Sequence, residues 1–159
     1  MSAYVGDVKV RMARAEDVPA VAALCCQWER EGLTRNYTAD SPEELAQRLG
    51  AFFLVAEAEG RIVGFAAGRA VPTAGNPQVE GVCDGVEAYF EPEDVYVALP
   101  WRGRGIGTRL VAELLARAQQ RGVTASVVYS ANHDYVRTAR FYEALGYRMW
   151  YMRMTRGTR

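Results

Sequence analysis

The chain predicts a mixed α/β domain: a largely antiparallel sheet with helices on both sides. Three observations carry this. Strand-like and helix-like stretches follow one another as β α α β β β α β α β, with no regular run of βαβ units, which argues against a doubly wound parallel sheet. Two apolar strands are separated by Glu59-Gly60, a two-residue turn signal. A strand-like stretch ending at Leu99 passes through the glycine-rich run Trp101 to Thr108 directly into a helix. At 159 residues, half of them hydrophobic, the chain is sized for one domain with one sizeable core, expected from about residue 7 to 154.

Val8 to Met12 alternates and reads as the first strand. Asp17 to Glu31 sets Val18, Val21, Leu24, Cys25 and Trp28 at helical spacing, one buried stripe on an amphipathic helix. Ser41-Pro42-Glu43-Glu44 is a helix start, with Ser as cap, Pro in the first turn and Glu closing a capping box; this helix should run to about Leu49. Phe52 to Ala58 and Arg61 to Arg69 form the hairpin. Val71 to Tyr89 is punctuated by Pro72, Gly75, Pro77, Gly81 and Gly85 and reads as a long loop. Val95 to Leu99 is a strand, and Gly105 to Arg121 a helix with Ile106, Leu110 and Leu114 inward. Val123 to Ser130 is near-continuously apolar, as an interior strand is. Asp134 to Leu145 is a helix closed by Gly146. Tyr147 to Met154 is expected as the last strand, followed by a loose tail, Thr155 to Arg159.

Composition narrows the function classes. The formal net charge is zero, which gives no ground for a nucleic-acid or anionic-membrane partner. Cys25, Cys26 and Cys83 are odd in number and two are adjacent, so neither a disulfide framework nor metal-ligand spacing is visible. No basic stretch followed by an apolar run opens the sequence, and no apolar run nears membrane-spanning length. A cytoplasmic protein without a metal is expected.

The chemistry concentrates at the glycine run. Strand, glycine turn, helix builds an anion site, because free backbone N–H groups and the positive end of the helix dipole converge there. Glycines let a phosphate oxygen approach the backbone, and Arg102 and Arg104 add positive charge. Neither common fingerprint fits: a P-loop needs Lys and Ser/Thr after its last glycine, where Thr108-Arg109 stand, and the dinucleotide loop needs a third glycine at Thr108. A tight turn with surface arginines is the plain alternative. What does fit is Arg-x-x-Gly-x-Gly at Arg102, Gly105 and Gly107. Placed after a strand and at the opening of a helix, it resembles the coenzyme-A loop of the GNAT superfamily of N-acetyltransferases. A second constellation, Asn132, Ala139, Phe141-Tyr142-Glu143 and Leu145-Gly146-Tyr147, resembles the family's segment after its fifth strand. Val10 to Asp17 resembles its opening strand and first helix. The resemblance covers most of the chain, is most specific from Glu93 to Tyr147, and lapses between Val71 and Tyr89.

The resemblance implies a GNAT-type sheet of about six to seven strands, with the fourth and fifth splayed apart, and transfer of an acetyl group from acetyl-CoA to a primary amine. It implies a diphosphate on the N–H groups of Gly103, Arg104, Gly105, Ile106, Gly107 and Thr108, with Arg102 beside them. The amide-bearing pantetheine would pair like a strand with the Val95–Leu99 backbone (Val95, Tyr96, Val97 and Leu99). A backbone N–H near Val97 or Ala98 would face the thioester oxygen. Glu93 is the first candidate for the base that deprotonates the amine, with Asp94, Glu91 or a water as alternatives. By alternation Glu91 and Glu93 share one face and Asp94 takes the other. Tyr142 matches the family tyrosine that protonates the departing thiolate; a structural tyrosine is the alternative. Asn132 is a pantetheine ligand or a helix cap, His133 a surface residue, and Trp101 and Trp150 packing or interface residues.

Glu80, Asp84, Glu87, Glu91, Glu93 and Asp94 would form an acidic rim suited to a small cationic acceptor or a peptide amine. A module that binds acetyl-CoA without turnover keeps the glycine loop but makes Glu93 and Tyr142 dispensable. Tyr147, Trp150 and Tyr151 offer an apolar surface for a homodimer.

Overall fold

The structure, a computed structural model, describes residues 7–157. Its elements are β1 (Lys9–Met12), α1 (Val18–Glu31), α2 (Pro42–Gln47), β2 (Phe53–Ala58), β3 (Arg61–Pro72), β4 (Ala88–Val97), α3 (Ile106–Gln120), β5 (Ala125–Ser126) and α4 (Tyr135–Glu143). They form one five-stranded sheet in the order β1-β2-β3-β4-β5. The first four strands pair antiparallel and β5 runs parallel to β4.

Local chemistry sets several boundaries. At the start of α2, Ser41 Oγ accepts the Glu44 N–H at 3.2 Å and the Glu44 carboxylate accepts the Ser41 N–H at 2.8 Å, the reciprocal cap read from the sequence. Glu59 and Gly60 both have positive φ, 50° and 71°, which closes the β2–β3 hairpin in two residues. Asp17, 5% exposed, is tied by both arms of Arg11 at 2.7 and 2.9 Å and by the Arg14 N–H at 2.8 Å. The Arg11 bonds, opposed by burial, hold its carboxyl below the usual aspartate range.

The sheet is buried on both faces. Phe53, Val55, Phe65, Ala67 and Tyr96 pack under α1 and α2 with Val21, Leu24, Trp28 and Leu45. Leu54, Ala56, Ala66 and Phe90 face α3 and its Ile106, Leu110 and Leu114. Each such buried leucine or phenylalanine contributes roughly 2 kcal/mol. Val79, Cys83 and Tyr89 make a small third cluster beneath the β3–β4 loop.

Three expectations are corrected. The sheet has five strands where six to seven were expected. The long loop is shorter than Val71 to Tyr89, because β3 runs on to Pro72 and pairs with Ala88, and the Thr73 N–H meets the Glu87 carbonyl at 3.0 Å. Leu99 leaves the strand for a 3-10 turn spanning Leu99–Trp101. The missing strand is the last. Tyr147 anchors to Ser126 through their hydroxyls at 2.6 Å. Beyond it Met149, Trp150, Tyr151, Met152 and Met154 are 61% to 83% exposed and pair with no strand. Nothing buries their apolar side chains, so the alternation that favoured a strand has no face to act on. Of the expected loose tail, the last two residues lie outside the described ones. No helix among the described residues is long and apolar enough to cross a membrane.

Candidate active site

Between β4 and α3 the chain makes a turn that leaves its amides bare. The Ala98 N–H is spent on the Val63 carbonyl at 2.9 Å, that of Trp101 on Ala98 at 2.9 Å, and that of Arg102 on Leu99 at 3.3 Å. Gly103 and Gly105 then take φ of +74° and +75°, a conformation that disfavours a side chain. Gly105 is the N-cap and offers no capping side chain, and the first bond of α3 is Arg109 N–H to the Gly105 carbonyl at 3.0 Å. Among the described residues nothing accepts from the N–H groups of Gly103, Arg104, Gly105, Ile106, Gly107 and Thr108. A left-handed glycine followed by helical residues forms a concavity of amides that suits an anion.

The two arginines of the motif point elsewhere. Arg102 donates Nε to the Val97 carbonyl at 2.7 Å and its two terminal nitrogens to Glu31 at 2.7 and 2.9 Å. Its guanidinium also lies 5.2 Å from the Tyr96 ring centre. Arg104 stacks over Trp101 at 4.9 Å, giving that tryptophan a packing role.

The edge of β4 that leads to this turn is unpaired. Among the described residues β5 meets β4 at Tyr89–Ala125 and Phe90–Ser126, and the Phe90 carbonyl also accepts the Val127 N–H at 3.0 Å and the Ser126 hydroxyl at 2.8 Å. From Glu91 to Val97 no strand among the described residues lies on that side. Across from it, Ala67 pairs with Asp94 but Gly68 pairs with Pro92, so Glu93 is the extra residue of a β-bulge. The bulge reverses the phase of the strand. Phe90 packs toward α3, and beyond the bulge Val95 and Val97 do so while Tyr96 turns to α1. Since Ala98 bonds to Val63, ladder alternation aims the Val97 N–H away from β3, into the open edge. Of the two expected carbonyl donors only Val97 is unspent.

The bulge also alters the alternation expected of the acids, which had set Asp94 apart from Glu93. Glu93 and Asp94 both reach Arg48, at 3.7 and 2.5 Å, and Arg48 holds Asp40 at 2.7 Å as well. Glu93 and Glu91 both reach Arg69, at 2.7 and 3.9 Å. Four carboxylates thus face two guanidiniums, leaving a negative surplus. Burial pushes the Asp94 carboxyl up, against the opposing pull of Arg48.

Facing this cluster is α4. Asp134 caps it by accepting the Arg137 N–H at 3.1 Å. Phe141 packs on the start of α3, where a Cβ on Gly107 would stand 3.4 Å from its ring. Tyr142 is half-buried, edge-on to Phe141 and Tyr147 at 5.0 and 5.3 Å. Its hydroxyl has no hydrogen-bond partner among the described residues. Burial, with smaller contributions from Tyr147 and the Asp94 charge, pushes it up to about 12. Asn132 accepts the Asp134 N–H at 2.8 Å and bridges to Thr34, so its side-chain oxygen serves the turn into α4. His133 is exposed, as expected. Among the described residues no group of three or more His, Cys, Asp or Glu side chains is arranged to hold a metal ion.

Glu93, Asp94 and Val97 thus share the strand that leads into the glycine turn, and Tyr142 lies near enough to Asp94 to sense its charge. Glu31, Asp40, Arg48 and Arg69 join them, and no local pattern announced these four. Glu31, Arg48 and Arg69 matter through partners distant in sequence, and Asp40 joins through Arg48, so only the fold reveals the group.

A five-stranded α/β domain thus sets an open β4 edge beside a turn of bare amides suited to an anion. The family model for the acetyltransferase (GNAT) family matches residues 22–147, and the chain belongs to that family. No curated protein sequence matches it. Among solved structures it is similar to an acetyltransferase of Trypanosoma brucei, at 24% identity and TM-score 0.67, covering 96% of this chain and all of that one. It is similar to glucosamine-6-phosphate N-acetyltransferase from Arabidopsis thaliana at 19% identity and TM-score 0.69, covering 94% and 97%. An aminoglycoside N-acetyltransferase in complex with CoA matches at 17% identity and TM-score 0.73, covering 96% and 95%. At these identities the likeness is one of fold.

Proposed function

We propose that this acetyltransferase moves the acetyl group of acetyl-CoA to a primary amine on a small cationic acceptor. The observation that carries the reading is the run of unspent amides from Gly103 to Thr108 beside the unpaired edge of β4. Those amides fit a diphosphate, and the edge fits an amide-bearing arm. Bound acetyl-CoA supplies an activated acyl carbon as a thioester.

This chain's residues do the rest. Glu93 takes a proton from the acceptor ammonium, directly or through a water. The amine nitrogen then bonds to the acyl carbon, while the Val97 N–H donates to the oxygen on which charge gathers. The carbon–sulfur bond breaks, Tyr142 gives its proton to the thiolate, and the second proton shed by the newly bonded nitrogen returns to the tyrosine oxygen through a water. A hydroxyl held near pKa 12 stays protonated at neutral pH and remains a donor. The surplus of carboxylates around Arg48 and Arg69 supports a cationic acceptor.

The test is thiol release from acetyl-CoA with a panel of amines. Aminoglycosides, polyamines and basic peptides should release thiol faster than neutral or acidic amines. Preference for acidic acceptors contradicts the acceptor class, and binding of acetyl-CoA without turnover on any amine contradicts catalysis.

A further inference from the structure

The motif arginine and the end of α1 are locked together. Glu31, the last residue of α1, takes both terminal nitrogens of Arg102, and the Tyr96 hydroxyl donates to the same carboxylate. The two side chains are partly exposed, 25% for Glu31 and 21% for Arg102. Arg102 also fixes the Val97 carbonyl and covers the Tyr96 ring, which stacks on Trp28 of α1 at 5.5 Å. Just past Glu31 the chain turns at Gly32 and grips the segment before α4: the His133 N–H meets the Leu33 carbonyl at 2.9 Å, and the Arg35 N–H meets the Ala131 carbonyl at 3.0 Å. Glu31 thus stands where β4's edge, the glycine turn and the approach to α4 converge.

A bidentate guanidinium–carboxylate pair with a third hydrogen bond is geometrically specific. An arginine so occupied has little left for an incoming phosphate. We propose that Glu31 is a positioning residue of the CoA site, acting through Arg102 to preset the glycine turn and the Val97 edge rather than leaving Arg102 as a diphosphate ligand. The proposal rests on the CoA reading above. Preorganisation of this kind affects how tightly the carrier is held, since an unfixed turn must be ordered on binding.

The experiment compares wild type, Glu31→Ala, Glu31→Gln, Arg102→Met and the Glu31→Ala/Arg102→Met double variant. It reads calorimetric affinity for CoA, KM for acetyl-CoA, kcat and thermal unfolding. Glu31→Ala should weaken CoA binding and raise that KM by about tenfold, a larger change than any fall in kcat. Glu31→Gln keeps the shape and a bond to Tyr96, and should fall between alanine and wild type. The double variant should bind no worse than the weaker single variant, because one unit is removed twice. If Arg102 is instead a direct ligand, Glu31→Ala frees it, and CoA affinity stays the same or rises; that result overturns the proposal. A lower unfolding temperature with unchanged KM overturns it too. Should the alanine variant not fold, the glutamine variant decides the matter by the same comparison. Failure of the wild type to bind CoA overturns the functional reading itself, whereas equal binding by wild type and Glu31→Ala overturns the positioning role alone.

Discussion

Arg48, at the end of α2, and Asp94, on β4, meet at 2.5 Å, and this contact ties the second helix to the strand that carries the candidate chemistry. Asp94 is enclosed enough that burial raises its pKa despite the guanidinium. A carboxyl raised in the folded state holds its proton to higher pH than in the unfolded chain. Its contribution to stability is present below the ordinary aspartate value and is lost as pH rises through the raised one. Arg48 is the neighbour that limits the loss. Arg48→Met should cost about 1–3 kcal/mol at pH 7, since a part-buried carboxylate is left without its partner. Urea denaturation at several pH values checks it: the gap to wild type should widen from acid to neutral pH, and a constant gap would contradict the account.

The Tyr142 hydroxyl has no hydrogen-bond partner among the described residues, and it is the proposed donor to the departing sulfur. Tyr142→Phe should lower kcat by about a hundredfold, the low end of what a positioned acid contributes. CoA affinity should be unchanged. Steady-state kinetics with calorimetry separates the two, and an unchanged kcat would return Tyr142 to a packing role.

Glu93 stands at the bulge and bonds Arg69 at 2.7 Å, while Glu91 lies 3.9 Å from the same arginine and further from the glycine turn. Glu93→Gln should reduce kcat/KM for the acceptor by about a hundredfold, and Glu91→Gln by less than about threefold. The reverse order would move the base.

Much of this was legible because it is local. The Ser41–Glu44 cap, the Glu59-Gly60 turn and the stripe from Val18 to Trp28 depend on residues a few positions apart, and each formed as read. The glycine turn was legible for the same reason. The bulge at Glu93 was not, since a bulge belongs to two strands, and its partner Gly68 lies across the ladder. The continuation of β3 to Pro72 was hidden by proline and glycine punctuation that the edge tolerates. The Arg102–Glu31 pair was not legible either, since its two members stand 71 residues apart. The last strand failed for a related reason: the pattern from Tyr147 to Met154 has the right period but no partner to pair with.

Gly68 is the bulge's other half. A Cβ there would stand 2.5 Å from the Glu91 carbonyl oxygen and 2.6 Å from the Phe90 ring. Because one of those atoms is backbone, relief requires the strands to part. Gly68→Ala should destabilise by about 1–3 kcal/mol, as overpacking does. It should also lower activity in the fraction that stays folded, because Glu93 and Asp94 shift with the bulge. A variant of wild-type stability in urea would contradict the geometry.

In the proposed function, bare amides between Gly103 and Thr108 hold the diphosphate of a thioester carrier. Gly105 tests it most directly, since its φ of +75° excludes a branched residue while no neighbour lies within 4 Å of a Cβ there. The deciding measurement is calorimetric titration with CoA of wild type and Gly105→Val, each checked for cooperative unfolding. The account predicts one site per chain in the wild type and affinity weakened by more than about tenfold in the variant. No binding by the wild type, or equal binding by both, would contradict it.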